Sequence, residues 1–278
     1  MLCSTHPLYV PLVRAARERG HELPPHFSVV TAAVAADSRW WNAGAEGWFV
    51  PNEDTAEQLR GAGVESGRVH VLGFPVSPAF SHSALPLASP GEEGSGRPRV
   101  LYLLKSRARH AVESAWRLLS REEWDVTCAV ADNAPLEAEL RGRAADRALP
   151  ARVFGWTADI PRLLMTHHVV VTNAGSVTTH EAIAARCPLL ALVGDNVIDR
   201  PDANAELIRR HGIGAVVSTP DDLIAGLERA FSGDPAVWRN WRDCIARLSR
   251  PNAARDIVSA LMTGARTSGM GAAAGGAL

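Results

Sequence analysis

The sequence lacks the cysteine patterns that identify metal sites and disulfide frameworks. Its four cysteines, Cys3, Cys128, Cys187 and Cys244, lie far apart and form no CxxC or Cys/His cluster. Cys128 and Cys187 lie in apolar, strand-like runs, which is typical of buried thiols. We therefore predict no metal site and four reduced cysteines in a cytoplasmic protein.

The sequence also lacks a charge surplus and long apolar runs. Its 278 residues carry a formal net charge of −1, which gives no support for nucleic-acid binding. No apolar run reaches the roughly 18 residues of a membrane-spanning helix. Residues 1–20 lack the basic segment and the continuous apolar stretch of a signal peptide. We expect a soluble protein that contacts, at most, one membrane face.

What the sequence does contain is two runs of alternating strand and helix patterns. Residues 1–81 form the first run, and residues 82–99, rich in Ser, Pro, Gly and Glu, are predicted to be a linker. Residues 100–265 form the second run, and the Gly/Ala-rich residues 266–278 are predicted to be disordered. This alternation predicts an α/β protein with two doubly wound, Rossmann-like lobes.

The most informative segment is HHVVVTNAGSVTTHEAIAARCPLLAL, residues 167–192. It predicts a buried strand, a small-residue loop, and a helix that begins near Thr178 or Thr179 with Glu181 in its first turn. Free N–H groups and the positive dipole end of a helix attract phosphate, and a carboxylate one turn on can bind a ribose diol. The pattern indicates a nucleotide-sugar site. Alternatively, Thr178 and Glu181 form a capping box in a unit that binds nothing.

Four segments resemble one known family. They are LCSTHPLY, FSVVTAAVAADSRWW, RVHVLGFPVSPAF and the long segment from FGWTADIPRLLM to CPLLAL. They resemble glycosyltransferase family 28, of GT-B fold, especially its monogalactosyldiacylglycerol synthase branch and more distantly the peptidoglycan N-acetylglucosaminyltransferase. The resemblance implies transfer of a hexose from a UDP-sugar to a lipid acceptor such as diacylglycerol, at the cytoplasmic face of the plasma membrane. It implies no cofactor other than the UDP-sugar itself.

The resemblance also implies a set of donor-binding residues in the second lobe. Glu181 would bind the ribose, the helix start would bind the diphosphate, and the Gly155 loop would flank the uracil. Asn204 would bind the sugar, and Lys105 and Ser106 occupy the place of a Gly-rich turn. The implied set is Gly155, Trp156, Thr157, Asn173, Gly175, Ser176, Thr178, Thr179, Glu181, Asp202, Asn204 and Ser106. Structural roles without ligand contact stay open for three residues: Trp156 as a core residue, Asn204 as a helix cap and Lys105 as a solvated charge.

The sequence departs from the family pattern in the first lobe. The family's initial strand and Gly-rich loop have no counterpart before Met1, so we expect an incomplete N-terminal lobe with an unpaired sheet edge. The family's Thr-Asp is Thr31-Ala32, and its following His aligns with Asp37. Asp37 is therefore the candidate general base, or else an ordinary surface partner of Arg39.

Further departures concern the sugar site and the remaining histidines. The family's Gly-Gln-Glu is replaced at residues 199–201, so Asp202 is a candidate substitute by a shift. His167 and His168 are interpreted as a surface or helix-end pair, and His180 as a helix-face residue. His6 and His110 are each candidates to face the cleft.

Three functions remain open at this point. The first is a transferase that binds a UDP-sugar and a lipid acceptor, with peripheral membrane contact through the basic first helix. The second is a catalytically impaired nucleotide-sugar-binding remnant, or a subunit that needs a partner. The third is a UDP-sugar epimerase, which would need several carboxylates in its cleft. The oligomeric state does not follow from the sequence.

Overall fold

The chain was analysed as a computed structural model. It describes residues 1–32, 37–42, 44–81, 87–92, 94–103, 109–146, 152–193, 201–232 and 235–273. Contacts divide the chain into two compact units. The first unit combines Met1–Ser81 with the segment that begins at Arg250, and the second unit is His82–Ser249.

The first unit is built on a parallel four-stranded sheet in the order β1-β2-β3-β4. Helix α2 begins at an Asn52 cap, whose Oδ1 accepts hydrogen bonds from the backbone N and the Oγ1 of Thr55. The elements of the first unit are β1 Leu2–Ser4, α1 Tyr9–Glu18, β2 His26–Val29, β3 Gly47–Val50, α2 Glu53–Gly61, β4 Val69–Val71 and, from the last part of the sequence, α10 Ala253–Ala273.

The last helix covers one face of this first sheet. Ile257 and Leu261 of α10 pack with Phe27, Val29 and Phe49 in a buried cluster. The sequence-based boundary, which ran the second lobe to residue 265, is therefore corrected: the segment from Arg250 belongs to the first unit. An apolar stripe of the kind found on α10 is typical of a helix that packs on a core, but it carries no information on which sheet the helix covers.

The predicted disordered tail is also corrected. The backbone of α10 continues as helix to Ala273, so residues 266–273 are helical rather than disordered. Residues 274–278 lie outside the described part of the chain. The Gly/Ala-rich composition predicted disorder at this position, but the packed first half of α10 gives the second half a helix to extend.

The second unit contains a parallel six-stranded sheet in the order β10-β9-β8-β5-β6-β7. Its elements are β5 Arg99–Leu103, α3 Arg109–Leu119, β6 Asp125–Ala129, α4 Ala134–Asp146, β7 Arg152–Phe154, α5 Ile160–Thr166, β8 Val169–Thr172, α6 Ser176–Ala185, β9 Leu189–Leu192, α7 Pro201–His211, β10 Gly214–Val217, α8 Pro220–Phe231 and α9 Ala236–Leu248. Strand β10 was missed from the sequence, because its four residues begin with Gly214 and closely follow Gly212, a spacing of glycines that resembles a loop.

Part of the predicted linker packs on the second unit. Leu87 contacts the main core cluster. The Nδ1 of His168 accepts a hydrogen bond from the Arg99 backbone N at 2.8 Å, so its Nε2 donates to the Ala88 carbonyl at 3.1 Å. The described part of the linker near residues 87–99 is therefore fixed to this unit rather than free.

Candidate functional site

The predicted donor residues lie at one edge of the second sheet. Its strands are all parallel, so their carboxyl ends share an edge. After β5 the chain runs to β6 and β7 on one side, and then returns to β8 on the other side of β5. This reversal is a topological switch point, the place where open α/β sheets bind ligands.

Helix α6 begins at this switch point with an open N-terminus. Gly175 is its N-cap residue, no side chain caps it, and the first intrahelical bond joins the Thr179 N to the Gly175 carbonyl at 2.9 Å. The N–H groups of residues 176–178 therefore lack intrahelical acceptors. The capping box of Thr178 and Glu181 is wrong, because the helix begins two residues before Thr178.

The loop that precedes α6 has an unusual backbone. Ala174 has a φ of +55°, a left-handed conformation that is uncommon for a residue with a Cβ. Gly175 follows with an extended backbone. Because of this backbone reversal, only residues 173–175 lie between the end of β8 and the start of α6. The free N–H groups at the start of α6 therefore point out from the carboxyl edge of the sheet.

Burial sorts the predicted residues of α6 into two groups. Asn173 and Gly175 are exposed, and Ser176 and Glu181 are half-buried, so all four are accessible to a ligand. The side chains of Thr178 and Thr179 are buried, Thr179 completely. The prediction that these two hydroxyls line the diphosphate is therefore corrected: Thr178 offers only its backbone N–H, and the Thr179 N–H is already bonded to Gly175.

Asn204 of α7 bonds to this loop rather than capping its own helix. Its side chain is 4% exposed. Its Nδ2 donates to the Ala174 carbonyl at 2.7 Å and to the Ser176 Oγ at 3.2 Å. Its Oδ1 is buried and has no partner among the described residues. The predicted sugar-binding asparagine thus lies against the loop that precedes α6.

The second predicted loop follows β7. Trp156 is 75% exposed, which excludes the core interpretation. Thr157 accepts a hydrogen bond from the Asp159 N at 3.1 Å through its Oγ1. A Cβ on Gly155 would collide with the carboxylate of Glu137, which is paired with Arg141 at 2.8 Å. Glu137 was missed from the sequence, where it is one of several charges on a predicted helix.

Several predicted positions are not described. Ser106 and Lys105 lie outside the described residues, as do residues 199 and 200 of the substituted sugar motif. Asp202 belongs to the first turn of α7, but its side chain is not described. The described part of the site therefore consists of the α6 start, Asn204 and the loop of residues 155–157.

In the first unit, the carboxylate of Asp37 is hydrogen-bonded and ion-paired to the nearby Arg39. Its Oδ1 accepts from the backbone N of Arg39 at 2.8 Å, and its two oxygens accept from the Arg39 guanidinium at 2.9 and 2.8 Å. The hydrogen bond and charge of Asp37 raise the pKa of Arg39, so the guanidinium keeps its charge beside this carboxylate. This is the surface-pair alternative, and a carboxylate stabilised in this way is a weak base.

His6 lies at the carboxyl end of β1. It is exposed, and its Nδ1 accepts from the Leu8 N at 3.3 Å, which leaves Nε2 as the protonated nitrogen of the neutral ring. The Oγ1 of Thr31 donates to the neighbouring Thr5 carbonyl at 3.2 Å. His6 is therefore arranged as a donor at this edge, while Ala32 offers no functional group.

Three histidines of the second unit, His167, His168 and His180, are buried. The predicted surface location of His167 and His168 is therefore wrong, whereas the helix-end alternative is confirmed for His167, which is the C-cap residue of α5. The Nδ1 of His167 bonds to the Leu163 carbonyl at 2.7 Å, and its Nε2 to the Thr127 Oγ1 at 3.0 Å. The ring nitrogens of His168 are likewise paired, with the Arg99 backbone N and the Ala88 carbonyl. Buried polar groups that are fully paired in this way are typical of a protein core, so both histidines are core residues.

The described residues contain neither a metal-binding cluster nor a membrane-spanning helix. No group of three His, Cys, Asp or Glu side chains is arranged to hold a metal ion. No helix in these ranges combines the length and the apolar character needed to span a bilayer. The described cysteines are free, and burial raises the pKa of both Cys128 and Cys187 to about 12.

Comparisons with known proteins find relatives that cover most of this chain. Residues 1–76 match the family model described as monogalactosyldiacylglycerol synthase. The probable monogalactosyldiacylglycerol synthase 2 of Oryza sativa subsp. japonica is 22% identical over 93% of this chain and 57% of its own length. The processive diacylglycerol beta-glucosyltransferase of Bacillus subtilis is 21% identical over 86% of this chain and 62% of its own length.

A solved structure shows the same fold. The S. aureus MnaA–UDP co-structure superposes with a TM-score of 0.59 at 14% identity, covering 92% of this chain and 73% of that chain. The likeness confirms the predicted two-lobed α/β architecture of GT-B type. The sequence matches confirm the predicted resemblance, and this chain spans a little over half the length of the plant relative.

Proposed function

Because this chain is a GT-B-fold relative of the monogalactosyldiacylglycerol synthases in glycosyltransferase family 28, we propose that it is a hexosyltransferase. It would transfer a hexose from a UDP-sugar to a lipid acceptor of the diacylglycerol type. The two curated relatives are named for synthesis of a galactosyl diacylglycerol and for glucosyl transfer to diacylglycerol. Turnover with UDP-galactose and with UDP-glucose distinguishes the two hexoses.

One observation carries the proposal: the uncapped start of α6 at the switch point of the second sheet. Three free N–H groups and the positive end of the helix dipole face the carboxyl edge there. They would bind the diphosphate and stabilise the negative charge that develops on UDP as it leaves. No metal ion is needed for this part of the reaction.

The other donor contacts follow from exposure and hydrogen-bonding capacity. Trp156, exposed on the loop after β7, would pack on the uracil. Glu181 would accept hydrogen bonds from the ribose hydroxyls. The Oδ1 of Asn204, which has no partner in the described ranges of the chain, would accept one from a sugar hydroxyl, because it can accept but not donate. Asn173 and Asp202 would complete the sugar side of the site.

The acceptor half of the reaction is less complete. Inversion requires a group that removes the proton from the lipid hydroxyl as that oxygen attacks the sugar carbon. Asp37 is the only residue that the family pattern offers for this role, and it is bonded to Arg39. For Asp37 to act as the base, Arg39 would have to release it when the acceptor binds.

Helix α1 is the proposed membrane-contact surface. Leu8, Tyr9 and Leu12 are exposed on one side of this helix. Arg14 is paired with Glu18, and Arg17 with Glu46, so much of the basic charge is already neutralised. We therefore expect apolar insertion into the membrane interface at the cytoplasmic face rather than salt-sensitive attraction to anionic lipid.

One observation favours a second function. The engagement of Asp37 by Arg39 and the presence of Ala32 in place of the family's Asp would suit a nucleotide-sugar-binding protein without transferase activity. Such a protein would keep the donor site of the second unit and would bind UDP as tightly as an active enzyme.

Calorimetric titration with UDP tests the donor site. Wild type, Glu181→Ala and Glu181→Gln are compared. We expect wild type to bind UDP, and both variants to bind it about tenfold or more weakly, since each removes a charge-assisted hydrogen bond to the ribose. Equal binding by all three proteins would remove Glu181 from the site, and no binding by folded wild type would overturn the donor proposal.

Turnover separates the transferase from the binding protein. UDP-galactose and UDP-glucose are each supplied with vesicles that contain diacylglycerol, and glycolipid is measured. Glycolipid formation that is reduced by Asp37→Asn but not by the exposed variant His21→Asn supports the transferase. UDP binding without glycolipid supports the binding protein. Vesicle flotation at low and high salt, with Leu12→Ser, tests the α1 surface in the same preparation.

A further inference from the structure

The orientation of the Asn204 amide is fixed by its partners. The Nδ2 lies 2.7 Å from the Ala174 carbonyl oxygen, which can only accept a hydrogen bond. Rotating the amide by half a turn would place Oδ1 against that carbonyl oxygen, and two acceptors repel each other. One Nδ2 hydrogen is therefore committed to Ala174, and the second points to the Ser176 Oγ at 3.2 Å.

This orientation sets the direction of the Ser176 hydroxyl. Its oxygen receives the second Asn204 hydrogen, so its own hydrogen is left to donate elsewhere. Ser176 is the first residue of α6 and is half-buried, next to the free N–H groups. A deprotonated phosphate has only acceptors, and a hydroxyl held in this way presents a donor to it.

The same amide also holds the loop backbone. Ala174 keeps a left-handed conformation at φ +55°, which is strained for alanine. Its carbonyl is bonded to Asn204, a residue distant in sequence that is buried in the first turn of α7. The direction of the carbonyl fixes the Ala174–Gly175 peptide plane and, with it, where the following N–H groups point.

We propose that Asn204 is a positioning residue for a nucleoside diphosphate: it holds the Ala174–Gly175 turn and orients the Ser176 hydroxyl as a donor to phosphate. The inference rests on the proposed function, since it deepens the account of the same donor site. It assigns to the buried amide group a task on the diphosphate that is exerted through Ser176 and is separate from any contact of its Oδ1 with the sugar.

Substitution by aspartate tests the direction of the hydrogen bond. A carboxylate at residue 204 accepts where the amide donates, so it would turn the Ser176 hydroxyl inward and add negative charge beside the phosphates. We expect Asn204→Asp to weaken UDP binding more than Asn204→Ala does, and Ser176→Ala to weaken it by about tenfold. Uridine, which has no phosphate, should bind to each folded variant as it binds to wild type.

Calorimetry with UDP and with uridine is the measurement, and Arg209→Ala is the matched control on the exposed side of the same helix. If Asn204 acts through Ser176, the losses caused by Asn204→Ala and Ser176→Ala are less than additive in the double variant. Ser176→Ala leaves the buried amide intact, so it tests the hydroxyl even if the variants at residue 204 do not fold.

The outcomes separate this inference from the proposed function. Wild-type binding of UDP with no loss in Asn204→Asp, or with an equal loss of UDP and uridine binding, would overturn the positioning role alone. Fully additive losses at the two residues would overturn the coupling to Ser176. Failure of wild type to bind UDP would overturn the donor site and this inference together.

Discussion

At the scale of single residues, buried imidazoles are a feature of the second unit. Burial lowers the pKa of His167, of His168 and of His180 to about 4, well below the ordinary value for histidine. Hydrogen bonds to the backbone carbonyls of Leu163 and Ala88 oppose this shift for His167 and His168 but do not cancel it. All three rings are therefore neutral at pH 7 in the folded protein.

These shifts predict loss of stability in mild acid. Between pH 6.5 and pH 4, each ring is protonated in the unfolded chain but not in the folded one, so acidification favours unfolding. Each group would contribute a loss on the order of 1–2 kcal/mol at pH 5. The free energy of unfolding in urea, measured at pH 7 and pH 5, should fall less for His168→Asn than for wild type. The exposed His21→Asn serves as control, and an identical fall in all three proteins would contradict the prediction.

Replacement of glycine by alanine is expected to have different effects at Gly142 and at Gly155. A Cβ on Gly142, inside α4, meets no atom within 4 Å, so Gly142→Ala should stabilise the protein by about 0.5–1 kcal/mol. A Cβ on Gly155 meets the Glu137 carboxylate, the end of a flexible side chain, so Gly155→Ala should displace Glu137 and move the Trp156 loop. We expect a weaker UDP affinity for Gly155→Ala and an unchanged one for Gly142→Ala. Urea unfolding and calorimetry give the two readouts, and similar affinities would contradict the role of the loop.

At the scale of elements, the sequence predicted β8 and the small-residue loop correctly but placed the start of α6 too late. The hydroxyls of Thr178 and Thr179 resemble helix caps, and only the structure shows that both are buried. The helix begins at Ser176, directly after the Ala174 turn, and the Ala174 carbonyl is bonded to Asn204, a residue distant in sequence. Single-sequence reasoning has no access to such a partner, and for the same reason it could not predict that His167 and His168 are buried.

The packing of α10 predicts a local effect on the first sheet. Ile257 is buried against Phe27 and Phe49, whereas Val258 on the same helix is 57% exposed. Ile257→Ala should destabilise the first unit by about 2–4 kcal/mol, and Val258→Ala by much less. Hydrogen exchange followed by mass spectrometry should then rise in residues 26–50 and not in residues 169–192. A rise in both segments, or in neither, would contradict the assignment of α10 to the first unit.

At the scale of the whole molecule, the alternation of strands and helices was sufficient to predict two α/β lobes, because each parallel strand requires a crossover. The lobe boundaries were less predictable. The segment 87–99 has the composition of a linker, yet Leu87 and Ala88 are held by the second unit. Composition reports the local chain, whereas a boundary depends on contacts between distant residues.

The observed boundary predicts how fragments behave. His82–Ser249 contains its own sheet and core, so this fragment should unfold in one cooperative transition and bind UDP about as tightly as the whole chain. The fragment 100–265 would lose the Leu87 packing and the bond to Ala88, and would expose Ile257 and Leu261. We expect it to be less stable in urea and less soluble. Equal stability of the two fragments would contradict this division.

The first unit is assembled from both ends of the sequence, with the second unit between them. On the ribosome, the four strands of the first sheet therefore emerge long before the helix that covers them, with a delay on the order of ten seconds at ordinary elongation rates. During that time Phe27, Val29 and Phe49 have no Ile257 or Leu261 to cover them, and they are a natural binding surface for a chaperone. A stop codon shortly before residue 250 would consequently damage the unit that residues 1–81 form.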